Sequence, residues 1–465
     1  MEAFDTQAWR RMPLAEAVLT LWRFAVGPEW LSDLFERKRA RCYEKVLSFT
    51  MFVQLIHDAL LVHDGSGRAA FERARERGEL PVSPEAVFGK LRRVPILLSE
   101  AFLAESTDRL RAVFPDKALK TVPKALQEFR VLVLDGKAIK GVAKRLKLLR
   151  GRSGGVLGGR TLVGIDYHRG LAVAMRADAD GDANDVKFVP ELLPELRSRY
   201  QGPRLFVADR QFADLVQTAH FARDEDHFLV RYNKKLKFYA DSSRPSRNGV
   251  DASGREFTED WGWIGGPKDK RRREVRRITV KRPGEDDIVL ITDLLDGKKY
   301  PATDLLTLYA ERWTIERVFQ QVTEVFHLNV LIGGSPQATV FQFAFCMLLY
   351  NTIQVVRATV AAIEACEVET ISTEKLFEDV VRELTACTVV LDVEQMVQRV
   401  DRPWTAKEVK SRLKQLLRGV WSDRWLKAKS YKRRPHPVVP RLGVHVSVHR
   451  ILLEAKQKGA AKKPP

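Results

Sequence analysis

Three short apolar runs in this chain each finish on or near an acid. VLVLD ends at Asp135, LFVAD ends at Asp209, and DDIVLITDL, residues 286–294, leads towards a long amphipathic stretch. Four or five consecutive apolar positions closing on an aspartate suit a central strand, covered on both faces, whose carboxyl end carries a polar group. Strands of that kind need helices packed against them.

The amphipathic stretch, residues 305–328, reads LLTLYAERWTIERVFQQVTEVFHL. On a 3.6-residue period Ile315, Phe319, Val322 and Phe326 share one stripe, so the spacing predicts a single helix packed on a core. Tyr309, Arg312 and Glu316, three and four residues apart, put a phenol, a guanidinium and a carboxylate on a second face. Taken alone, Arg312 and Glu316 read as a surface ion pair. Beside two strand-end aspartates, the same glutamate makes a third acid that can converge on one spot. Three clustered carboxylates repel one another unless cations neutralise them. Hard Mg²⁺ or Mn²⁺ ions, held by oxygen ligands, answer that need.

At 465 residues and 53.0 kDa the chain is too long for one ordinary core. Its formal charge of +19 favours a polyanionic partner, without saying whether that is DNA, RNA or an anionic surface. Cys42, Cys346, Cys366 and Cys387 form no CxxC pair, which predicts a reducing compartment and no structural zinc. The longest interval free of Asp, Glu, Lys and Arg, 325–356, is broken by Gly333, Gly334, Ser335 and Pro336. It therefore reads as a turn followed by a buried helix from about Gln337 to Val356, not a membrane span. The start, MEAFDTQAWRR, shows no basic segment followed by an apolar core, so no export signal and a cytoplasmic location are expected.

Five regions follow from changes in pattern. Residues 1–125 read as helical, and in SPEAVFGKLRRV Ser83 caps a helix with Pro84 at its first position. Lys90, Arg92 and Arg93 are placed on or beside its exposed face, where they either touch DNA or keep the domain soluble. Residues 126–232 alternate strand, hairpin, helix, strand, helix, strand, the hairpin running from 161 to 177 about a turn at His168, Arg169 and Gly170. GKAIKGVAKRLKLLRGRSGG after Asp135 reads as a basic loop. Residues 233–285 interrupt the order as a β-rich insertion whose run KDKRRREVRRITVKR exposes a basic face suited to DNA backbone contact, through Arg271, Arg273 and Arg276. Trp261 or Trp263 either stacks on an unpaired base or serves a core or turn. Residues 286–400 complete the core with closing helices. Residues 401–465 form a basic C-terminal region, with 17 Lys or Arg against three acids from Lys407 onward and an end, AKQKGAAKKPP, expected to be disordered. The fold class expected is α/β, a mixed sheet flanked by helices and interrupted by the insertion, with helical N- and C-terminal regions.

At LVLDGKAIKG around Asp135, FVADRQF around Asp209 and YAERWTIE at 309–316, the chain resembles the IS4-type DDE transposases. The resemblance covers 125–360 well and the flanks loosely, and it implies a ribonuclease-H-like catalytic domain. The gap of 107 residues from Asp209 to Glu316, against 74 from Asp135 to Asp209, matches members with a β-strand insertion before the glutamate. One departure stands out, because the family's lysine seven residues after the glutamate is Thr323 here, and Gln320 and Thr323 leave that face uncharged.

What the resemblance implies is metal-dependent cleavage at element ends and strand transfer, in cut-and-paste fashion. Two divalent ions about 4 Å apart would be held with Asp135 bridging and Asp209 and Glu316 completing either side. Water would nick the end, and the freed 3′-hydroxyl would attack target DNA or first the opposite strand. Tyr309 and Arg312 would orient the end phosphate, with Lys137 and Lys140 as further candidates. Partners would be double-stranded DNA as terminal inverted repeats and target, and a homodimer would form in the DNA complex through the C-terminal helices. The location that the resemblance implies is bacterial and nucleoid-associated. Asp166, Asp185, Asp214 and Asp293 are weaker ligand candidates, since acids at turns are common. His168 and His327 lack a second His or Cys at metal-site spacing. The rival readings are a nuclease without strand transfer and an inactive, transposase-derived DNA-binding protein.

Overall fold

The computed structural model describes residues 7, 9–140, 147–149, 156–282, 284–391, 400–427 and 445–460. Six helices come first: α1 (Pro13–Ala25), α2 (Pro28–Lys38), α3 (Phe49–Leu61), α4 (Gly67–Glu76), α5 (Pro84–Arg93) and α6 (Ile96–Val113). As the spacing predicts, the Ser83 hydroxyl accepts from Ala86 N and Pro84 opens α5. Lys90 departs from expectation: it is buried, and its ammonium donates to Leu47 O at 2.6 Å beside Glu44. Arg92 and Arg93 stay exposed.

Strands β1 (Arg130–Lys140), β2 (Val156–Asp166) and β3 (Leu171–Asp178) follow, then α7 (Val189–Arg199), β4 (Arg204–Ala208), α8 (Leu215–Phe221) and β5 (Asp226–Arg231). The hairpin falls where the sequence places it, but β1 does not stop at Asp135. Its pairing with β2 continues through Lys137↔Thr161 to Lys140↔Leu157, with an irregularity after Ala138. Lys137 and Lys140 thus stand on a strand and not in a loop; residues 141–146 and 150–155 of the expected loop lie outside the described residues. The helices that the pattern places at Asn184–Leu196 and Phe212–Arg223 run instead over Val189–Arg199 and Leu215–Phe221, each preceded by a 3-10 turn, at Asp185–Phe188 and Arg210–Phe212.

The insertion supplies β6 (Phe238–Ala240), β7 (Arg247–Val250), β8 (Glu256–Ile264) and β9 (Arg273–Val280), and β10 (Ile288–Thr292) returns to the core. The insertion strands do not form a separate sheet. β9 pairs antiparallel with β10, so one sheet runs β2-β1-β4-β5-β10-β9-β8-β6, with β3 beside β2 and β7 beside β8. The reason is register: Val280, Ile278 and Arg276 of β9 face Ile288, Leu290 and Thr292 across the ladder, extending the buried face of the core.

The stretch 305–328 forms two helices, α9 (Ala302–Ala310) and α10 (Trp313–Glu324), where the periodicity predicts one. At the break, Arg312 N donates to Tyr309 O and Ile315 N to Arg312 O, three residues back instead of four. That tightened turn re-aims Arg312 while leaving the apolar stripe buried. The long helix α11 (Pro336–Glu364) is apolar on all sides and buried on all sides, longer than expected by about two turns. It is long and apolar enough to cross a membrane, yet its apolar window lies wholly inside the protein. Phe341 packs on Phe49, Phe52 and Phe102 of the N-terminal helices, whereas Phe343 meets Phe319 of α10. Asn351 locks α11 to the sheet, its amide donating to Ala172 O and Thr107 Oγ1, while its carbonyl accepts from Ala172 N. Helices α12 (Thr373–Val390), α13 (Ala406–Leu417) and α14 (Val448–Ala460) complete the fold, with the two-residue β11 (Val446–Ser447) on β2. Residues 455–460, expected to be disordered, are the last turns of α14; 461–465 lie outside the described residues.

Candidate active site

The site begins at the centre of the sheet. β1 and β4 run parallel in the register Leu134↔Ala208, and the next step along each strand is Asp135 and Asp209. Two aspartates 74 residues apart in sequence are therefore neighbours because two apolar runs of matched length pair in parallel. The third acid arrives from the helix break. Arg312 is almost wholly buried and points its guanidinium at the strands, with Nη1 3.7 Å from Asp135 Oδ2 and Nη2 3.1 Å from Glu316 Oε1.

Electrostatics follow from that packing. Burial pushes the Asp135 carboxyl up to about 7; Arg312 and the Gly136 amide oppose the shift, while Asp209 and Glu316 add to it. Burial disfavours the charged Arg312, but Tyr309, Asp209 and Asp135 outweigh it and hold its pKa above the usual arginine value. The Tyr309 hydroxyl is raised by burial, with its ring centroid 5.7 Å from the Arg312 guanidinium. Asp209 Oδ1 is buried and has no hydrogen-bond partner. The three acids thus feel one another across Arg312. Among the described residues, no three His, Cys, Asp or Glu side chains stand close enough to hold one metal ion together. Arg312 is a buried cation shared by Asp135 and Glu316.

Asp135 and Lys137 lie two apart on β1 and so share a face of the sheet. The Lys137 ammonium sits 5.6 Å from the centroid of Phe319, one helical turn beyond Glu316. Burial and Lys140 hold it below the ordinary lysine range, against the pull of Asp135 and Glu324. On the same helix Thr323 turns its hydroxyl back to Phe319 O, and Gln320 donates to Glu324.

Of the weaker acid candidates, three have structural work. Asp166 accepts from His168 N, Arg169 and the Tyr200 hydroxyl; Asp293 accepts from Phe228 N and lies 3.1 Å from His227; Asp214 caps α8. Asp185 is different. It is buried against Gly136, ion-paired with Arg160 through both oxygens, and accepts from Gln211 at 2.8 Å. A Cβ on Gly136 would overlap its carboxylate. Arg160, Asp185 and Gln211 thus tie β2, the turn after Asp209 and β1 together around the two aspartates. Sequence reasoning gave Asp185 little weight and passed over Arg160. The signal was Gly136 beside Asp135, where a side chain would block a close approach.

The insertion departs most from expectation. Arg276 is fully buried, paired with Glu259 at 2.8 Å and donating to Tyr300 O, so it is not a DNA contact. Trp261 is a core residue whose indole donates to Leu295 O. Arg271 is exposed but bound to Asp269, Arg273 is half-buried, and Trp263 lies beneath Arg272.

A sheet ordered β3-β2-β1-β4-β5 and flanked by helices, with acids at the ends of the central parallel strands, has ribonuclease-H-like architecture. Residues 127–352, which span that sheet, the insertion and much of α11, match the family described as "Transposase DDE domain". The curated "Putative transposase y4zB" of Sinorhizobium fredii is 31% identical over 81 residues, 17% of this chain, and the match spans 22% of that relative's length. Among solved structures, the cryo-EM structure of the piggyBac transposase synaptic complex with hairpin DNA covers 89% of this chain and 88% of its own, at 12% identity and a TM-score of 0.43. At that score the likeness carries no functional argument. Residues 127–352 are thus similar to DDE-transposase domains in general.

Proposed function

We propose that this protein is a DNA transposase that hydrolyses phosphodiester bonds at element ends and joins the freed 3′ end to target DNA, its 3′-hydroxyl attacking a target phosphorus and displacing the 3′-oxygen of the target strand. The observation that carries the reading is the parallel step from Leu134↔Ala208 to Asp135 and Asp209, with Glu316 tied to the same spot through Arg312, inside a stretch matching a transposase domain. The donor set, three carboxylates with one buried and unpartnered oxygen on Asp209, is of the kind hard divalent cations take. Mg²⁺ or Mn²⁺, two ions in this reading, would be held by Asp135, Asp209 and Glu316 and would supply charge relief at phosphorus and an activated water.

The protein's own groups do the rest. Arg312 and Tyr309 hold the phosphate of the DNA end against the carboxylates. Lys137, a half-buried ammonium on the Asp135 face of β1, supplies positive charge near Phe319 and Thr323, where α10 carries none. Lys140, exposed at the end of β1, extends that contact, and Arg271 and Arg273 offer further backbone contacts on the insertion. Coupled processing of two ends calls for a homodimer on DNA.

A second reading, a transposase-derived DNA-binding protein without turnover, is favoured by two observations. Thr323 leaves its face uncharged, and no three described acids stand at metal-binding distance. End cleavage and strand transfer on the repeats flanking the gene, in Mg²⁺ or Mn²⁺, with the parent and Glu316→Gln compared, decides between them. Cleavage with joining in the parent alone supports the transposase. Cleavage without joining means a nuclease, and DNA binding without cleavage means the inactive protein.

A further inference from the structure

The basic run of the insertion is largely neutralised from within. Five of its nine cations are ion-paired with local acids: Arg271 with Asp269, Arg276 with Glu259, Arg277 with Asp260, Lys281 with Asp287 and Arg282 with Glu285. Charge that is already matched releases few counterions when a polyanion binds. The run that looks most like a DNA contact in the sequence therefore offers, among the described residues, four unmatched cations, Lys268, Lys270, Arg272 and Arg273, instead of nine.

Unmatched charge also collects next to Asp209 in the chain. A cleft of about 420 Å³ is lined by Arg210, Arg231, Lys234 and Lys235, together with Asp286 and Asp287. Among the described residues none of these four cations forms an ion pair, and Asp287 is already held by Lys281 at 2.9 Å. Arg210 directly follows Asp209, and the β4/β5 register Ala208↔Val230 brings Arg231 to the next step beside it. Lys234 and Lys235 stand exposed in the turn that leaves β5. The four charges thus line one side of the approach to Asp209.

From this we infer that the cleft is the track for the DNA backbone flanking the phosphate presented to Asp135 and Asp209. The inference rests on the transposase reading for its partner. A strand whose phosphate reaches Asp209 passes close to Arg210 and Arg231, and the cleft offers four cations that form no ion pair among the described residues, with Asp286 as its one uncommitted carboxylate. Phosphate oxygens supply the missing partners, bidentately for the two arginines and as point charges for the two lysines. Contacts of this kind fix register and carry no base specificity.

The test measures binding of a duplex carrying the flanking repeat, without divalent ions, over a range of salt concentrations. The triple variant Arg210→Ala/Lys234→Ala/Lys235→Ala is compared with Arg39→Ala/Arg68→Ala/Arg73→Ala, which removes the same charge from positions ion-paired with exposed carboxylates. The cleft variant is expected to flatten the slope of log K against log salt by about 2.7, at about 0.9 per contact, and the control by much less. Both should keep the parent's unfolding midpoint. Equal flattening in the two, or a parent-like slope in the cleft variant, overturns the inference. A parent that binds with the expected slope difference but never cuts in Mg²⁺ sinks the transposase reading and leaves the cleft. A parent that cuts while the cleft variant binds and cuts equally well sinks the cleft alone. A parent that binds no duplex removes both.

Discussion

Arg312 Nη1 lies 3.7 Å from Asp135 Oδ2, joining a break between two helices to the central strand of the sheet. The same guanidinium holds Glu316, so one buried cation bears on the whole carboxylate centre. Arg312→Gln should leave that centre without its counter-charge. A loss of about 2 to 3 kcal/mol is expected, below the full cost of an unpaired buried charge because Glu316 is 42% exposed. Urea unfolding measures it, and an unchanged midpoint would show that the guanidinium does not stabilise the acids.

Asp135, raised from 3.8 to about 7, keeps a proton in the folded protein over a pH range where the unfolded chain has released it. Stability therefore falls as pH rises from about 4 to about 7 and levels off above. Glu100 and Glu383, both raised to about 7 by burial, act in the same sense. Asp135→Asn is expected to raise the unfolding midpoint at pH 8, to change it little below pH 4, and to abolish cleavage. In the parent, cleavage at subsaturating Mg²⁺ should rise with pH, because the ion must displace the proton that burial keeps on Asp135. Midpoints for the two proteins at both pH values, with a pH profile of end cleavage, check this.

Arg276 is a structural cation. Its truncation to Ala strands the buried Glu259 carboxylate and empties the space against Trp261, at a cost of about 3 to 5 kcal/mol. Arg271→Ala, whose partner Asp269 lies at the surface, should change stability by less than about 0.5 kcal/mol. Denaturant midpoints of the two variants separate the buried arginine from the surface one. Equal effects would contradict the burial.

Gly136→Ala brings a methyl group onto the Asp185 carboxylate. The strand or the Arg160–Asp185 pair must shift, with a loss of about 1 to 3 kcal/mol. Because Gln211 is bound to the same carboxylate, the turn after Asp209 should move too, and end cleavage should drop further than substrate binding. A variant that unfolds like the parent but cleaves poorly would still place the effect at the site. One that unfolds and cleaves like the parent would remove Asp185 from it.

Period and composition made much of this architecture legible. The runs ending at Asp135 and Asp209, the hairpin about Gly170, the cap at Ser83 and the apolar helix after Pro336 are local patterns, and each forms close to where its pattern lies. The motif at 309–316 likewise located the residues that gather round Arg312. Sequence alone could not say that β1 runs on past Asp135, because Lys137 and Lys140 look like loop residues until Thr161 and Leu157 pair with them. Nor could it foresee the helix break that aims Arg312 inward, since the apolar stripe passes through it unbroken.

Charge divides along the same line. The sequence determined how many cations the chain carries and that they exceed the acids, which is a property of composition. Only the tertiary structure decided which of them are spent. Arg276 meets Glu259, 17 residues away across a strand pair, and Lys90 meets Leu47, 43 residues away on another segment. Arg210, Arg231, Lys234 and Lys235 gather in one cleft with no ion-pair partner among the described residues. Whether a charge is matched depends on distances of a few ångströms between residues far apart in the chain, and those distances are fixed only when the strands pair and the helices pack.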